Sequence, residues 1–187
     1  MMNGKISILG FSGSLRKGSY NKALLRAAAE LAPGEANIEI FDLEGIPPYN
    51  QDIEASMPEK VREFKAKIKA ADALLIATPE YNFSIPGLLK NAIDCASRPP
   101  AENPFKGKPV AIMGASNGMI GTARAQYHLR QTLVSLNTHP LNYPEIFVTY
   151  AAQKFNEKGE LTDEQTKETI KKQLDALINW ARKINAK

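Results

Sequence analysis

The chain has 187 residues, 43% hydrophobic and 24% charged, with a formal net charge of +4 and a pI near 9.1; this suits a single domain over 1–187 with a full core. No stretch reaches the roughly 18 apolar residues of a membrane span, and Lys and Arg are spread rather than clustered, so neither a membrane nor a nucleic acid is an expected partner. The single cysteine, Cys95, excludes an internal disulfide, and no signal-type segment precedes the first apolar run, so a reducing cytoplasmic setting is expected.

Taken in order, apolar runs of strand length alternate with helical patterns. Lys5-Ile6-Ser7-Ile8-Leu9 reads as the first strand, followed by Gly10–Asn21 (GFSGSLRKGSYN) and a helix over Lys22–Leu31. Asn37–Phe41 is the second strand, and a proline-rich loop runs from Asp42 to Ala55. Ser56-Met57-Pro58-Glu59 has capping-box spacing, with Val61, Phe64, Ile68 and Ala71 on one face of the helix behind it. Asp72–Ala77 is an uninterrupted apolar run suited to a strand covered on both faces. A helix from about Pro86 to Arg98 follows, with Ser84 as its expected cap, then a proline-rich link to the strand Val110–Met113. The glycine-rich Gly114–Gly121 leads into a helix reaching about Leu136. Ile146–Val148 is a short last strand, and Thr162-Asp163-Glu164-Gln165 is a second capping box. It opens a final helix with Ile170, Leu174, Leu177, Ile178, Ala181 and Ile184 inward.

Five strands alternating with five helices predict an α/β three-layer sandwich with a parallel sheet. In the flavodoxin-like order 2-1-3-4-5, strands 1, 3 and 4 lie side by side, and ligands sit beyond their carboxyl ends. Three polar loops, Gly10–Asn21, Thr78–Ser84 and Gly114–Gly121, should therefore gather at one edge.

The first loop has the makings of an anion cradle. It precedes a helix N-terminus, where unpaired N–H groups and the helix dipole favour negative charge, and Ser12, Ser14, Arg16 and Ser19 add side-chain donors. Gly10-Phe11-Ser12-Gly13 breaks the G-x-G spacing of a dinucleotide fingerprint, and Ser19 stands where a P-loop needs lysine. A terminal phosphomonoester remains, beside the plainer reading of a polar strand-to-helix turn. His128 and His139 have no cysteine or carboxylate cluster near them in sequence, so no metal is expected.

Three segments, GSLRKGSYN at 13–21, PEYNFSIPGLLKNAID at 79–94 and GKPVAIMGASNGMIG at 107–121, together with AQYHLRQTL at 125–133, closely resemble the NADPH-dependent FMN reductase family of flavodoxin-like quinone and chromate reductases. Cys95 stands where an aromatic often ends the AID segment, and Thr122 replaces a common glycine. The resemblance implies FMN, with NADPH or NADH as co-substrate. Its phosphate would sit on Ser14, Arg16, Ser19 and Asn21 beside Tyr20. Pro79, Glu80, Tyr81 and Asn82 would line the ring, and Ser116, Asn117 and Gly118 would meet its pyrimidine edge with backbone N–H groups. No catalytic side chain is implied, because the hydride chemistry is borne by the flavin. A ping-pong cycle to quinone, flavin, chromate, azo or nitro acceptors is expected, with the Asp42–Ala55 loop as a candidate pocket wall. Arg98 and Arg124 read either as solvated surface or as contacts to the NADPH 2′-phosphate. The alternative is a flavodoxin-type electron carrier without NAD(P)H activity. The apolar excess of helices 84–98 and 125–136 suggests a homodimer or homotetramer.

Overall fold

The computed structural model describes residues 4–186. Its elements run β1 (Ile6–Ser12), α1 (Tyr20–Glu30), β2 (Ala36–Phe41), α2 (Glu59–Ala70), β3 (Ala73–Ala77), α3 (Gly87–Ala96), β4 (Pro109–Ala115), α4 (Ala123–Ser135), β5 (His139–Pro140), β6 (Ile146–Val148) and α5 (Glu164–Asn185). All strand pairs are parallel, in the order β2-β1-β3-β4-β5, and β6 also pairs with β4. The expected single last strand is therefore two pieces on one edge of β4, His139–Pro140 beside Pro109–Val110 and Ile146–Val148 beside Met113–Ala115. Pro140 and Pro144 interrupt the segment, and proline cannot donate to a continuous ladder.

The central strands are apolar on both faces because each is covered twice. Ile6, Ile8, Ala73, Leu75, Ala77, Ala111 and Met113 pack with α1 and α5. The alternate residues Leu9, Phe11, Leu74, Ile76, Val110 and Ile112 pack with α2, α3 and α4. This period of two, apolar in both phases, separates a doubly covered strand from a half-solvated one. Phe64 on α2 is fully buried, stacked on Phe41 at 5.0 Å between ring centroids and edge-on to Phe11 at 5.1 Å.

Both expected capping boxes are displaced. Gln51–Ser56 is a 3-10 turn capped by Asn50, and the Ser56 hydroxyl donates to Ile53 C=O within it. α2 therefore begins behind Pro58 without a side-chain cap. At α5 the cap is Asp163, which accepts from Thr166 N–H at 2.8 Å. Thr162 bonds instead to Lys154 C=O, beside the Phe155–Leu161 bridge. Of the inward series on α5, Ile184 is only half-buried. No helix among the described residues is long and apolar enough to cross a membrane.

Candidate functional site

Register places the three polar loops together. Ser12 lies opposite Ala77, and Ala77 opposite Met113, so β1, β3 and β4 end at nearly one level. Two further bonds extend the ladder past the strand ends, Gly13 N–H to Ala77 C=O and Thr78 N–H to Met113 C=O, each 3.0 Å. At this edge the chain leaves the sheet three times in neighbouring strands.

The loop after β1 is built locally. Ser19 is the N-cap of α1 and accepts from Lys22 N–H at 3.4 Å. Ser14 accepts from Arg16 N–H at 3.4 Å, and both serine side chains are buried. The N–H groups of Tyr20 and Asn21, at the start of α1, have no partner among the described residues. The Arg16 guanidinium lies 5.5 Å from the Tyr20 ring centroid and has no carboxylate partner among the described residues. Free N–H groups, two hydroxyls and a guanidinium without a carboxylate partner among the described residues are donors of the kind that bind phosphate.

Asn21 has a different task from the one expected of it. Its buried side chain accepts from Ala115 N–H at 2.9 Å and donates to Ala115 C=O at 3.0 Å, which satisfies the end of β4 and ties it to α1. Its side-chain amide is committed to the backbone of Ala115, while its own backbone N–H has no partner among the described residues.

The loop after β3 is held under strain. Tyr81 and Ser84 exchange two backbone bonds of 3.0 Å around Asn82 and Phe83, whose φ values are 51° and 64°. This is the pattern of a two-residue turn that ordinarily wants Asn-Gly, with phenylalanine where glycine is cheapest. The turn leaves Tyr81 52% and Phe83 64% exposed. Ser84 does not cap α3, which starts behind Pro86 without a side-chain cap; its hydroxyl meets His128 Nδ1 at 3.0 Å. Pro79 is buried at the strand exit. Glu80 was expected to line the ring, but its carboxylate turns to α4, reaching Arg124 and Ala125 N–H at 3.2 Å each. Arg124 also lies 3.9 Å over the Phe83 ring, so it is neither simply solvated nor a free cation.

The loop after β4 is fastened to a segment that its own motif did not reveal. Ser116 N–H donates to Val148 C=O at 2.9 Å, so this expected donor to the ring edge is already used. Asn117 Oδ1 accepts from Ala152 N–H at 2.9 Å, and Tyr150 N–H reaches Gly118 C=O at 3.4 Å. The N–H groups of Asn117 and Gly118 have no partner among the described residues. Tyr150, 45% exposed with φ 49°, is the neighbour that sequence reasoning missed; a positive-φ tyrosine leaves no signature in the sequence. Gly114 is required by close approach: a Cβ there would lie 2.6 Å from Thr78 C=O and 1.8 Å from Thr122 Oγ1.

The Asp42–Ala55 loop is docked on α3. Asn91 accepts from Tyr49 N–H and donates to Pro47 C=O, both at 2.8 Å, and Cys95 Sγ lies 3.6 Å from that same carbonyl. Burial, with the nearby Asp94 charge, pushes the Cys95 thiol up from its ordinary value, which favours the protonated donor. Arg98 lines a small cavity of about 30 Å³ beneath this loop, with Pro48, Ile53 and Met57. No cluster of metal-ligating side chains occurs among the described residues.

A flavodoxin-like α/β fold, a donor-lined loop after β1 with Ser19 at the P-loop lysine position, and exposed aromatics on the neighbouring loop together fit a flavin-mononucleotide protein. The donor set present fits FMN: one phosphate, no magnesium ligands, and two free backbone N–H groups on the third loop. The profile of the NADPH-dependent FMN reductase family matches residues 6–153, and the chain belongs to that family. It is 56% identical over 184 residues to the NAD(P)H-dependent FMN reductase of Pseudomonas aeruginosa, covering 98% of this chain and 99% of that one. Identity to a 2-hydroxy-1,4-benzoquinone reductase from Burkholderia is 44%, covering 91% and 93%. Among solved structures, the flavoenzyme NAD(P)H:(acceptor) oxidoreductase FerB of Paracoccus denitrificans superposes with a TM-score of 0.88 at 39% identity, covering 95% and 98%. The chain is an FMN-dependent NAD(P)H oxidoreductase, and the carrier alternative falls away because these relatives are named as reductases.

Proposed function

We propose that this enzyme passes two electrons from NADPH or NADH to a planar acceptor, a quinone first and free flavin second, in a ping-pong cycle over one exposed face. The observation that carries the acceptor choice is the rim of the site. Tyr81, Phe83 and Met119 stand 52%, 64% and 77% exposed at this edge, with Tyr150 beside them at 45%, which suits a flat apolar molecule. The quinone-reductase names of relatives support the same reading. Chromate, azo and nitro compounds are further acceptors to test, without a dedicated binding group.

When bound, FMN supplies the redox chemistry, accepting hydride from NAD(P)H and returning two electrons to the acceptor. The protein binds and orients. Ser14, Ser19, Arg16 and the amides of Tyr20 and Asn21 would hold the phosphate. Pro79 and Tyr81–Asn82 would border the ring. The N–H groups of Asn117 and Gly118 would face the edge where negative charge develops on reduction. Ser116 contributes by its place in the turn, and Asn21 by fixing β4. No side chain is asked to move a proton.

Exposed Tyr127 and Val134 on α4 support a homodimer or homotetramer, and the lone cysteine supports a cytoplasmic setting. Mixing the yellow protein with NADPH without air tests the assignment: rapid bleaching, then recovery of colour on adding benzoquinone, is expected. Double-reciprocal lines against NADPH at several fixed acceptor concentrations should be parallel, with kcat/KM for the acceptor highest for quinone among quinone, FMN and chromate. Unchanged colour overturns the reductase reading, and a preference for chromate over every quinone overturns the acceptor reading.

A further inference from the structure

We infer that Glu80 is a positioning residue, joining the two strained loops at the ring edge by capping a helix from outside its own segment. The inference rests on the assignment of this edge to the flavin.

α4 begins behind Thr122, a β-branched residue at φ 71° that offers no side-chain cap. A threonine in the left-handed region is costly, and its hydroxyl is engaged by Gln126 at 3.1 Å instead of by the helix start. The first turn of α4 therefore lacks a local side-chain acceptor, although Ala123 N–H reaches Ile120 C=O at 3.2 Å. Glu80 supplies one from 45 residues away, accepting from Ala125 N–H at 3.2 Å with the carboxylate 12% exposed. A carboxylate at a helix N-terminus also meets the positive end of the dipole. Its other oxygen takes Arg124, whose guanidinium lies over Phe83. Phe83 and Asn82 are the two positive-φ residues of the turn that follows Glu80. One carboxylate thus restrains the turn at 81–84 directly through the chain and the 116–122 loop through α4. Strained backbone persists only where its surroundings over-determine it, and Glu80 belongs to both surroundings, alongside the Ser84–His128 and Phe83–Arg124 contacts.

The test compares FMN with riboflavin, which shares the ring and lacks the phosphate, by quenching of flavin fluorescence, with hydrogen exchange at Tyr81 and Ser84 amides of the apoprotein. Glu80→Ala should weaken both flavins by a similar factor, about tenfold or more, and speed exchange of both amides. Glu80→Gln keeps a carbonyl acceptor for Ala125 N–H and should weaken both by only about threefold. Arg16→Ala should weaken FMN and leave riboflavin unchanged. A Glu80→Ala protein that binds both flavins like wild type, or that loses FMN alone, overturns the inference while the site assignment stands. If neither Arg16→Ala nor Glu80→Ala alters FMN binding, the site assignment fails first. Should Glu80→Ala not fold, Arg124→Met removes the same ion pair from the other side. It should weaken both flavins about threefold, and no change there overturns the inference equally.

Discussion

The loop after β1 and the loop after β3 lie side by side and are built on opposite principles. Ser14–Ser19 is held by local contacts: Ser19 caps α1, Ser14 accepts from Arg16 N–H, and none of these residues has positive φ. The Tyr81–Ser84 turn carries two consecutive positive-φ residues, and contacts from α4, some 44 or 45 residues distant, hold it down. An anion cradle can be local because helix N-termini supply its donors for free. A rim that presents aromatic side chains to a flat ligand cannot, because exposed aromatics give the turn nothing to pack against.

The contrast can be broken most severely at Gly114, where the two principles meet. Gly114→Ala drives a Cβ into Thr78 C=O, and we expect a loss of about 3 kcal/mol in denaturant unfolding together with loss of flavin retention. Arg16→Ala attacks the cradle alone and should weaken FMN by about 1.5–3 kcal/mol with no change in melting temperature beyond about 2 °C, read by titration of the apoprotein. Asn21→Ala leaves the N–H and C=O of Ala115 without partners in a buried site and should cost about 1–3 kcal/mol of stability; a FMN affinity that falls as far as in Arg16→Ala would return Asn21 to the phosphate. Phe83→Gly sharpens the comparison from the other side. Relief of positive-φ strain and loss of the Arg124 contact oppose each other, so stability should move by less than about 1 kcal/mol. Asp163, far along the chain at the α5 cap, is the control. The hydrogen bond from the Thr166 hydroxyl, ahead of the opposing effect of burial, holds its carboxyl below the ordinary value. A depressed folded-state value means stability present at neutral pH and lost as pH falls through it. Asp163→Asn should therefore flatten the acid limb below about pH 4 without touching flavin affinity.

How much was legible divides along the same line. The doubly apolar strands β3 and β4 and the inward face of α5 are short-range patterns that led to the parallel sheet, and the P-loop-like spacing without its lysine led to the phosphomonoester reading of the first loop. The capping boxes misled because a box is only two residue types at a spacing. Ser56 was captured by its own 3-10 turn, and Thr162 by the chain pairing at Lys154. Glu80 misled for the same reason: its motif placed it in the ring loop, while its direction depended on where α4 begins.

By itself the sequence determined the parallel sheet and the gathering of three polar loops at its carboxyl edge, because periodicity and strand-to-helix turns act over a few residues; the phosphate cradle remains the reading proposed for the first of those loops. Only the tertiary structure decided that Asn21 serves Ala115, that Ser116 spends its N–H on Val148, and that Glu80 and Arg124 clamp the turn at 81–84. Those outcomes depend on which polar group lies within about 3 Å across the folded chain, and no local pattern of residues encodes that distance.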